Sequence, residues 1–221
     1  MQILLLVTFI ALINYIISYN LWIHTDTLHN ALILMFIILF IELLFSSILM
    51  AIIVEYVKEE ELYLKTSIKR CVARIAPKFL DYLIIGFTGS IALFTIILSP
   101  LYFLGLASNV IAGYSGFDAI YEGAKRFHRD FGKYFVRIVP DVILALLILI
   151  MFTYASLYVS EPFSPKILFS TGSFLSWLLL SKTTIKTSRE YLYHGLKICV
   201  YCSREIPIAS RECRWCKAKL K

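Results

Sequence analysis

Charged residues are scarce in this chain, and long stretches lack them altogether. Asp, Glu, Lys and Arg make up 17% of the 221 residues, against about 25% in ordinary soluble domains. They are absent from six runs, at 3–23, 31–41, 43–54, 82–117, 142–160 and 167–181. Since a helix needs about 20 apolar residues to cross a bilayer, these runs exclude an ordinary soluble domain and predict an all-α integral membrane protein.

Groups that enzymes use for catalysis are also few. The four histidines, His24, His29, His128 and His194, all lie outside the charge-free runs. Residues 113–116, Gly-Tyr-Ser-Gly, resemble the Gly-x-Ser-Gly of rhomboid intramembrane proteases. A serine nucleophile needs a base within hydrogen-bond reach, and no histidine lies inside another predicted helix to act as that base, so we reject a protease. The sequence contains neither His-Glu-x-x-His nor a phosphate-binding glycine loop. We therefore predict that the chain is not an enzyme, and we identify no small-molecule substrate.

The first run lacks the features of a cleavable secretory signal. Such a signal has a basic n-region and a small-x-small cleavage site, whereas Met1 and Gln2 lead directly into a run rich in Ile, Leu and Phe. We expect this run to be retained as a helix.

Gln2 is the only glutamine in the chain, and scarcity of thermolabile amides is typical of thermophilic proteins.

Positive charge is concentrated in three polar segments, at 58–78, 125–137 and 182–221. Of the 22 Lys and Arg residues, only Lys166 lies outside them. Basic loops stay on the cytoplasmic side during membrane insertion, so we predict a multi-pass protein of the cell membrane with both termini in the cytoplasm. Anionic headgroups of the inner leaflet attract such segments by about 1 kcal/mol per residue, which makes the bilayer the first expected partner.

The run at 82–117 determines the number of crossings. It is too long for one ordinary crossing and suffices for two short ones, and Pro100 disfavours helical geometry at the residue before it. A hairpin here places both flanking basic segments inside. We therefore predict six transmembrane helices forming three hairpins. Their approximate ranges are 3–23, 31–54, 82–98, 101–117, 138–160 and 167–181.

Each predicted hairpin is followed by a basic amphipathic stretch. These stretches lie at 55–81, 118–137 and 182–197, and we expect them to form helices in the membrane interface. The pattern is an internal repeat, which is common in transporters and also occurs in membrane scaffolds. Residues 1–196 are thus predicted to form a membrane domain, and residues 197–221 a separate cytosolic domain.

The tail contains two Cys-x-x-Cys motifs, the first at Cys199 and Cys202 and the second at Cys213 and Cys216. Four thiolates so spaced can bind zinc tetrahedrally. Residues 197–220 resemble the short zinc ribbons that end many prokaryotic proteins. The resemblance implies a structural Zn²⁺ and a prokaryotic source, which we expect to be archaeal. Disulfides are disfavoured because the cytosol keeps thiols reduced, while an iron site with the same ligands remains an alternative.

The predicted ribbon also carries basic and aromatic residues. Arg204, Arg211, Arg214 and Trp215 would give it a surface suited to an acidic protein face or to nucleic acid. Because lipid proximity already accounts for part of the positive charge, we favour docking of another protein subunit over nucleic acid.

Two polar residues lie deep within predicted crossings. Glu42 is the only acid well inside a predicted helix, and Asn14 lies at a similar depth on the first helix. A charged residue there costs about 2.5–3.5 kcal/mol, so it should face other helices. One interpretation is a proton or cation site. The other is an interhelical hydrogen bond, which we favour because no second acid or base accompanies Glu42.

Small residues follow one side of the fourth predicted crossing. Gly105, Ala112, Gly113 and Gly116 would let another helix approach closely, so we predict a helix-packing face.

These sequence features are consistent with two functions. The first is a non-enzymatic subunit or scaffold of a larger membrane complex, whose zinc ribbon docks a partner. The alternative is a small transporter or permease component that uses Glu42.

Overall fold

Almost all of the chain that the structure describes is helical. The computed structural model describes residues 2–22, 27–63, 66–158, 164–193, 196–199, 201–202, 205–207, 216 and 218–219. The helices are α1 (Gln2–Leu21), α2 (Leu28–Tyr63), α3 (Ile68–Ile75), α4 (Phe79–Phe94), α5 (Ser99–Ala107), α6 (Gly116–Arg129), α7 (Phe131–Tyr158) and α8 (Pro165–Tyr193). A 3-10 turn, Ala76–Lys78, joins α3 to α4, and a π-helical turn, Ser108–Ala112, extends α5. Two short strands follow, β1 (Leu196–Ile198) and β2 (Glu205–Pro207).

The prediction of a helical chain is confirmed, and its long apolar helices fit the predicted membrane protein. Within the described residues, four stretches are long and apolar enough to cross a bilayer: Ile3–Leu21, His29–Glu61, Ile68–Ala92 and Phe131–Tyr158. Ser99–Ala112 is a shorter apolar helix. The last predicted crossing, 167–181, lies inside α8, whose many Ser and Thr residues make it less apolar than the four.

Three helices extend well beyond their charge-free runs. Whereas α2 was predicted to end near residue 54, it continues to Tyr63; α7 begins at Phe131 and α8 continues to Tyr193. Much of the predicted interfacial stretches therefore belongs to these long helices. At 1.5 Å per residue α2 is about 54 Å long, against about 30 Å for the hydrocarbon core. Polar helix ends thus project past the apolar zone.

The run 82–117 is divided between two helices that pack against each other. The turn lies at residues 95–98, slightly before the predicted break, and Ile96 has a positive φ of 54°. Pro100 belongs to the first turn of α5. Backbone N–H groups in the first turn have no acceptor within the helix, so proline, which lacks this N–H, fits there. The hairpin geometry of α4 and α5 follows from this turn.

The Lys- and Arg-rich helix ends meet at one end of the bundle. Asp81, in the first turn of α4, accepts a hydrogen bond from the backbone N–H of Gly116 at the start of α6 (3.0 Å). Lys58 near the end of α2 donates to the Val110 carbonyl at the end of the α5 extension (2.7 Å). Residues before and after the α4–α5 hairpin therefore lie side by side.

The opposite end of the bundle is aromatic. Trp22, just after α1, stacks on Phe169 of α8 with ring centroids 4.4 Å apart. Lys166, the cation outside the three basic segments, lies 5.8 Å from the ring centroid of Tyr19. The end of α1 and the start of α8 thus share this end.

Helix α8 lies at the centre of the packing, in contact with α1, α2, α5 and α7. Gly172 permits the closest approach to α7, because a Cβ added there would lie 2.6 Å from Cβ of Phe152. Small residues allow helix backbones to pack this closely in membrane proteins.

We expect Gly172→Ala to destabilise the bundle by about 1–3 kcal/mol, the usual cost of overpacking. The measurement is thermal unfolding of the full chain in mild detergent. Gly132→Ala is the matched control, since an added Cβ there meets nothing within 4 Å. Equal melting temperatures for the two variants would show that the α7–α8 contact tolerates the methyl group.

Candidate metal centre and buried carboxylate

The tail forms a small hairpin that presents the first pair of cysteines. Strands β1 and β2 pair antiparallel, with Leu196 opposite Pro207 and Ile198 opposite Glu205. The connection between them begins at Cys199 and contains Cys202. Strand pairing therefore fixes the ends of the segment that holds both thiols.

Three cysteine sulfurs cluster at the spacing that a metal ion requires. The Sγ atoms of Cys199, Cys202 and Cys216 all lie within 4.8 Å of one another. The Cys199 and Cys216 sulfurs are 3.7 Å apart, far beyond the roughly 2.05 Å of a disulfide bond. A tetrahedron with Zn–S bonds of about 2.3 Å has sulfurs about 3.8 Å apart. The cluster could therefore hold a metal ion.

The predicted fourth ligand, Cys213, lies outside the described residues. So do the four residues predicted to dock a partner, Arg204, Arg211, Arg214 and Trp215. Among the three clustered cysteines, Cys199 is buried, Cys202 is intermediate and Cys216 is exposed. Soft thiolate ligands select zinc or iron over hard cations such as magnesium, so the donor set limits the metal without identifying it.

Glu42 forms a second centre, deep in the helical bundle. Its side chain is buried, and its Oε1 accepts hydrogen bonds from the hydroxyls of Ser18 and Ser173, the latter at 2.9 Å. Its Oε2 accepts a hydrogen bond from the indole Nε1 of Trp177 at 2.7 Å. The carboxyl group thus joins α2 to both α1 and α8.

Asn14 lies in the same polar layer, one contact away from Glu42. Its Oδ1 accepts a hydrogen bond from Ser46 (2.8 Å), and its Nδ2 donates to the Ile10 carbonyl (3.0 Å). Ser18 connects the two centres, because its hydroxyl lies 2.6 Å from the Asn14 carbonyl and also contacts Glu42. The layer therefore consists of neutral donors around one carboxyl group.

Sequence reasoning missed the partners of Glu42. A signal was present in the four-residue spacing of polar side chains within apolar helices: Asn14 and Ser18 on α1, and Ser173 and Trp177 on α8. Residues four apart share a helix face. Which faces would meet could not be read from the spacing, because any of the apolar helices could have been the neighbour.

The predicted helix-packing residues are separated by the structure. Gly105 and Gly116 are buried, and a Cβ added at Gly116 would lie 3.1 Å from Ile84. Ala112 and Gly113 are exposed. Gly113 adopts the left-handed conformation, with φ of 83°, and ends the helix. The four therefore do not share one helix face as predicted.

A network of ion pairs covers the basic end of the bundle. Arg74 of α3 contacts two buried carboxylates of α2, Glu55 at 2.8 Å and Glu59 at 3.0 Å. Arg126 of α6 lies 3.7 Å from the ring centroid of Tyr191 on α8, and burial raises the pKa of that tyrosine. The basic stretches thus bind acidic and aromatic side chains of neighbouring helices, which helps to explain why the long helices remain ordered past their apolar runs.

No protein-family model, curated protein or solved structure matches this chain.

Proposed function

We propose that this chain is a non-enzymatic subunit or scaffold of a larger membrane complex, with a cytosolic zinc ribbon that docks a partner protein. The observation that carries the proposal is the cluster of three thiols at metal-binding distance on a short hairpin. Cys213 would complete the set. A site closed by four protein ligands has no open position for a substrate or water, so its role is structural.

The ribbon depends on its metal for folding. About twenty residues bury too little apolar surface to be stable alone, and metal binding supplies the missing folding free energy. The metal would then hold Arg204, Arg211, Arg214 and Trp215 on a defined surface. We favour an acidic protein partner for this surface, with nucleic acid as the less favoured alternative.

The arrangement of helix ends supports six crossings with the tail in the cytoplasm. In that topology the α4–α5 hairpin returns the chain to the side from which it entered, and the hydrogen bond between Asp81 and Gly116 (3.0 Å) agrees with this return. The contact between Lys58 and Val110 likewise gathers basic segments on one side. Positive charge favours the cytoplasmic side, and the tail continues from the same end of α8.

A transporter or permease component that uses Glu42 is the second candidate. Buried acids inside membrane domains often mark ion or proton pathways, and Glu42 lies between three helices. Its hydrogen bonds to Ser18, Ser173 and Trp177 favour a structural role, because they occupy most of the acceptor positions that a transported ion would need.

The docking proposal is tested by affinity purification from the native membrane in mild detergent. We expect the wild-type chain to retain a partner that the Cys199→Ser/Cys202→Ser variant loses. Cys71→Ser is the matched control, since Cys71 is a buried cysteine of α3 and is not one of the four tail cysteines. An identical set of partners for all three proteins would contradict docking through the ribbon.

A further inference from the structure

An open groove lies at the basic end of the bundle, between the start of α7 and the end of α8. Its volume is about 660 Å³. It is lined by Lys133, Arg137, Lys186, Arg189, Glu190 and Tyr193. Four of these six side chains are cations and one is a carboxylate. Cationic side chains therefore outnumber carboxylates among the described residues that line the groove.

Among the described residues that line the groove, one is a carboxylate, and it positions two of the cations. Glu190, whose side chain is 7% exposed, contacts both Lys133 and Arg137 at 2.6 Å. The other two cations are held at the edges, Lys186 by Asp141 (3.0 Å) and Arg189 by both Glu60 (3.4 Å) and Glu61 (3.3 Å). These contacts order four flexible side chains before any ligand arrives.

Donors remain for an anion after these contacts are made. An ammonium group has three N–H donors and a guanidinium has five, while the contacts just described engage only some of them. The four cationic side chains are 42% to 59% exposed. The groove can therefore accept a phosphate group, whose oxygens are strong acceptors for Lys and Arg.

An exposed apolar strip continues from the groove along α7. Residues spaced alternately three and four apart share one helix face, and Arg137 is followed on its face by Leu144, Leu147 and Met151. These three side chains are 49%, 57% and 60% exposed. From residue 137 to residue 144 the helix rises about 10 Å. A cationic site is thus followed by an apolar surface at the spacing of a lipid headgroup and its chains.

We infer that the groove binds the phosphate of an anionic phospholipid, whose acyl chains lie along Leu144, Leu147 and Met151. Basic pockets between membrane helices on the cytoplasmic side bind anionic headgroups in this way. The inference rests on the proposed membrane orientation but not on docking through the tail. A free phosphate compound could use the same cations, but it would leave the apolar strip without a role.

The test is native mass spectrometry of the full-length protein in detergent, with phosphatidylglycerol and phosphatidylcholine supplied in equal amounts. We expect selective retention of phosphatidylglycerol. Arg137→Ala/Lys186→Ala should weaken that retention by about 25-fold, roughly five-fold for each cation. Lys125→Ala/Arg129→Ala is the matched control, because it removes the same charge from exposed positions on α6 outside the groove. It should bind like the wild type.

One further variant and one competition measurement complete the test. Arg137→Lys/Lys186→Arg retains the charge and should retain the lipid, even if the alanine variant does not fold. Equal weakening in the groove and control variants would overturn the inference, since it would indicate diffuse charge. Displacement of the lipid by millimolar inorganic phosphate would also overturn it, in favour of a soluble phosphate ligand. Partner recovery in the cysteine variants is read separately, so failure of one proposal leaves the other intact.

Discussion

Glu42→Ala is expected to destabilise the bundle by about 2–5 kcal/mol, the range for large-to-small changes in a packed interior. The variant removes the acceptor of three hydrogen bonds. Ser18 can still donate to the Asn14 carbonyl, 2.6 Å away. The Trp177 indole N–H is a donor only, so it would be left buried without its acceptor, at about 1–3 kcal/mol. Thermal unfolding in mild detergent measures the loss.

Two further variants define the role of Glu42. Glu60→Ala, on the same helix, removes an exposed ion pair with Arg189 and should cost no more than about 1 kcal/mol. Glu42→Gln keeps an acceptor for Trp177 and should stay close to the wild type in stability. Loss of a transport activity in Glu42→Gln with unchanged stability would support the transporter alternative. A Glu42→Ala variant as stable as Glu60→Ala would contradict the proposed hydrogen-bonded layer.

Cys199→Ser/Cys202→Ser is expected to abolish metal binding by the tail. Structural zinc sites contribute about 10–16 kcal/mol of binding free energy, and the variant removes half of the predicted ligands. Elemental analysis of the purified chain should give one zinc per wild-type protein and almost none for the variant. Limited proteolysis should then cut the variant within 197–221, while the helical domain stays intact.

The control for the metal analysis is a substitution of the cysteine outside the tail. Cys71→Ser keeps the four tail cysteines and should keep the metal. One iron per chain would replace zinc as the proposed metal and leave the four-cysteine site in place. Undiminished metal in the double cysteine variant would show that the ion is bound elsewhere.

The helical class and the position of the basic segments could be predicted because they depend on local composition. Runs without charge must form helices in a bilayer, where backbone groups need internal partners. The length of α2 could not be predicted in this way, because Glu55 and Glu59 end the apolar run but do not end the helix. Their contacts with Arg74 come from tertiary packing, which composition does not encode.

The candidate sites were predictable to different extents. Cysteine spacing alone indicated the metal cluster, since the ligands are close in sequence. Glu42 was identifiable as a lone acid in an apolar run, but Trp177 was not identifiable as its partner, because 135 positions separate them. Gly113 was assigned to a helix face because its left-handed backbone, which ends the helix, has no unique signature in sequence.

Helix α8 passes unbroken from the Glu42 layer to the edge of the cysteine hairpin. Trp177 and Tyr193 are about 24 Å apart along its axis. A tilt of about 10° around Trp177 would therefore displace Tyr193 sideways by about 4 Å. A thinner or thicker bilayer changes helix tilt, so in a membrane α8 would convert a change of bilayer thickness into movement of the cysteine hairpin.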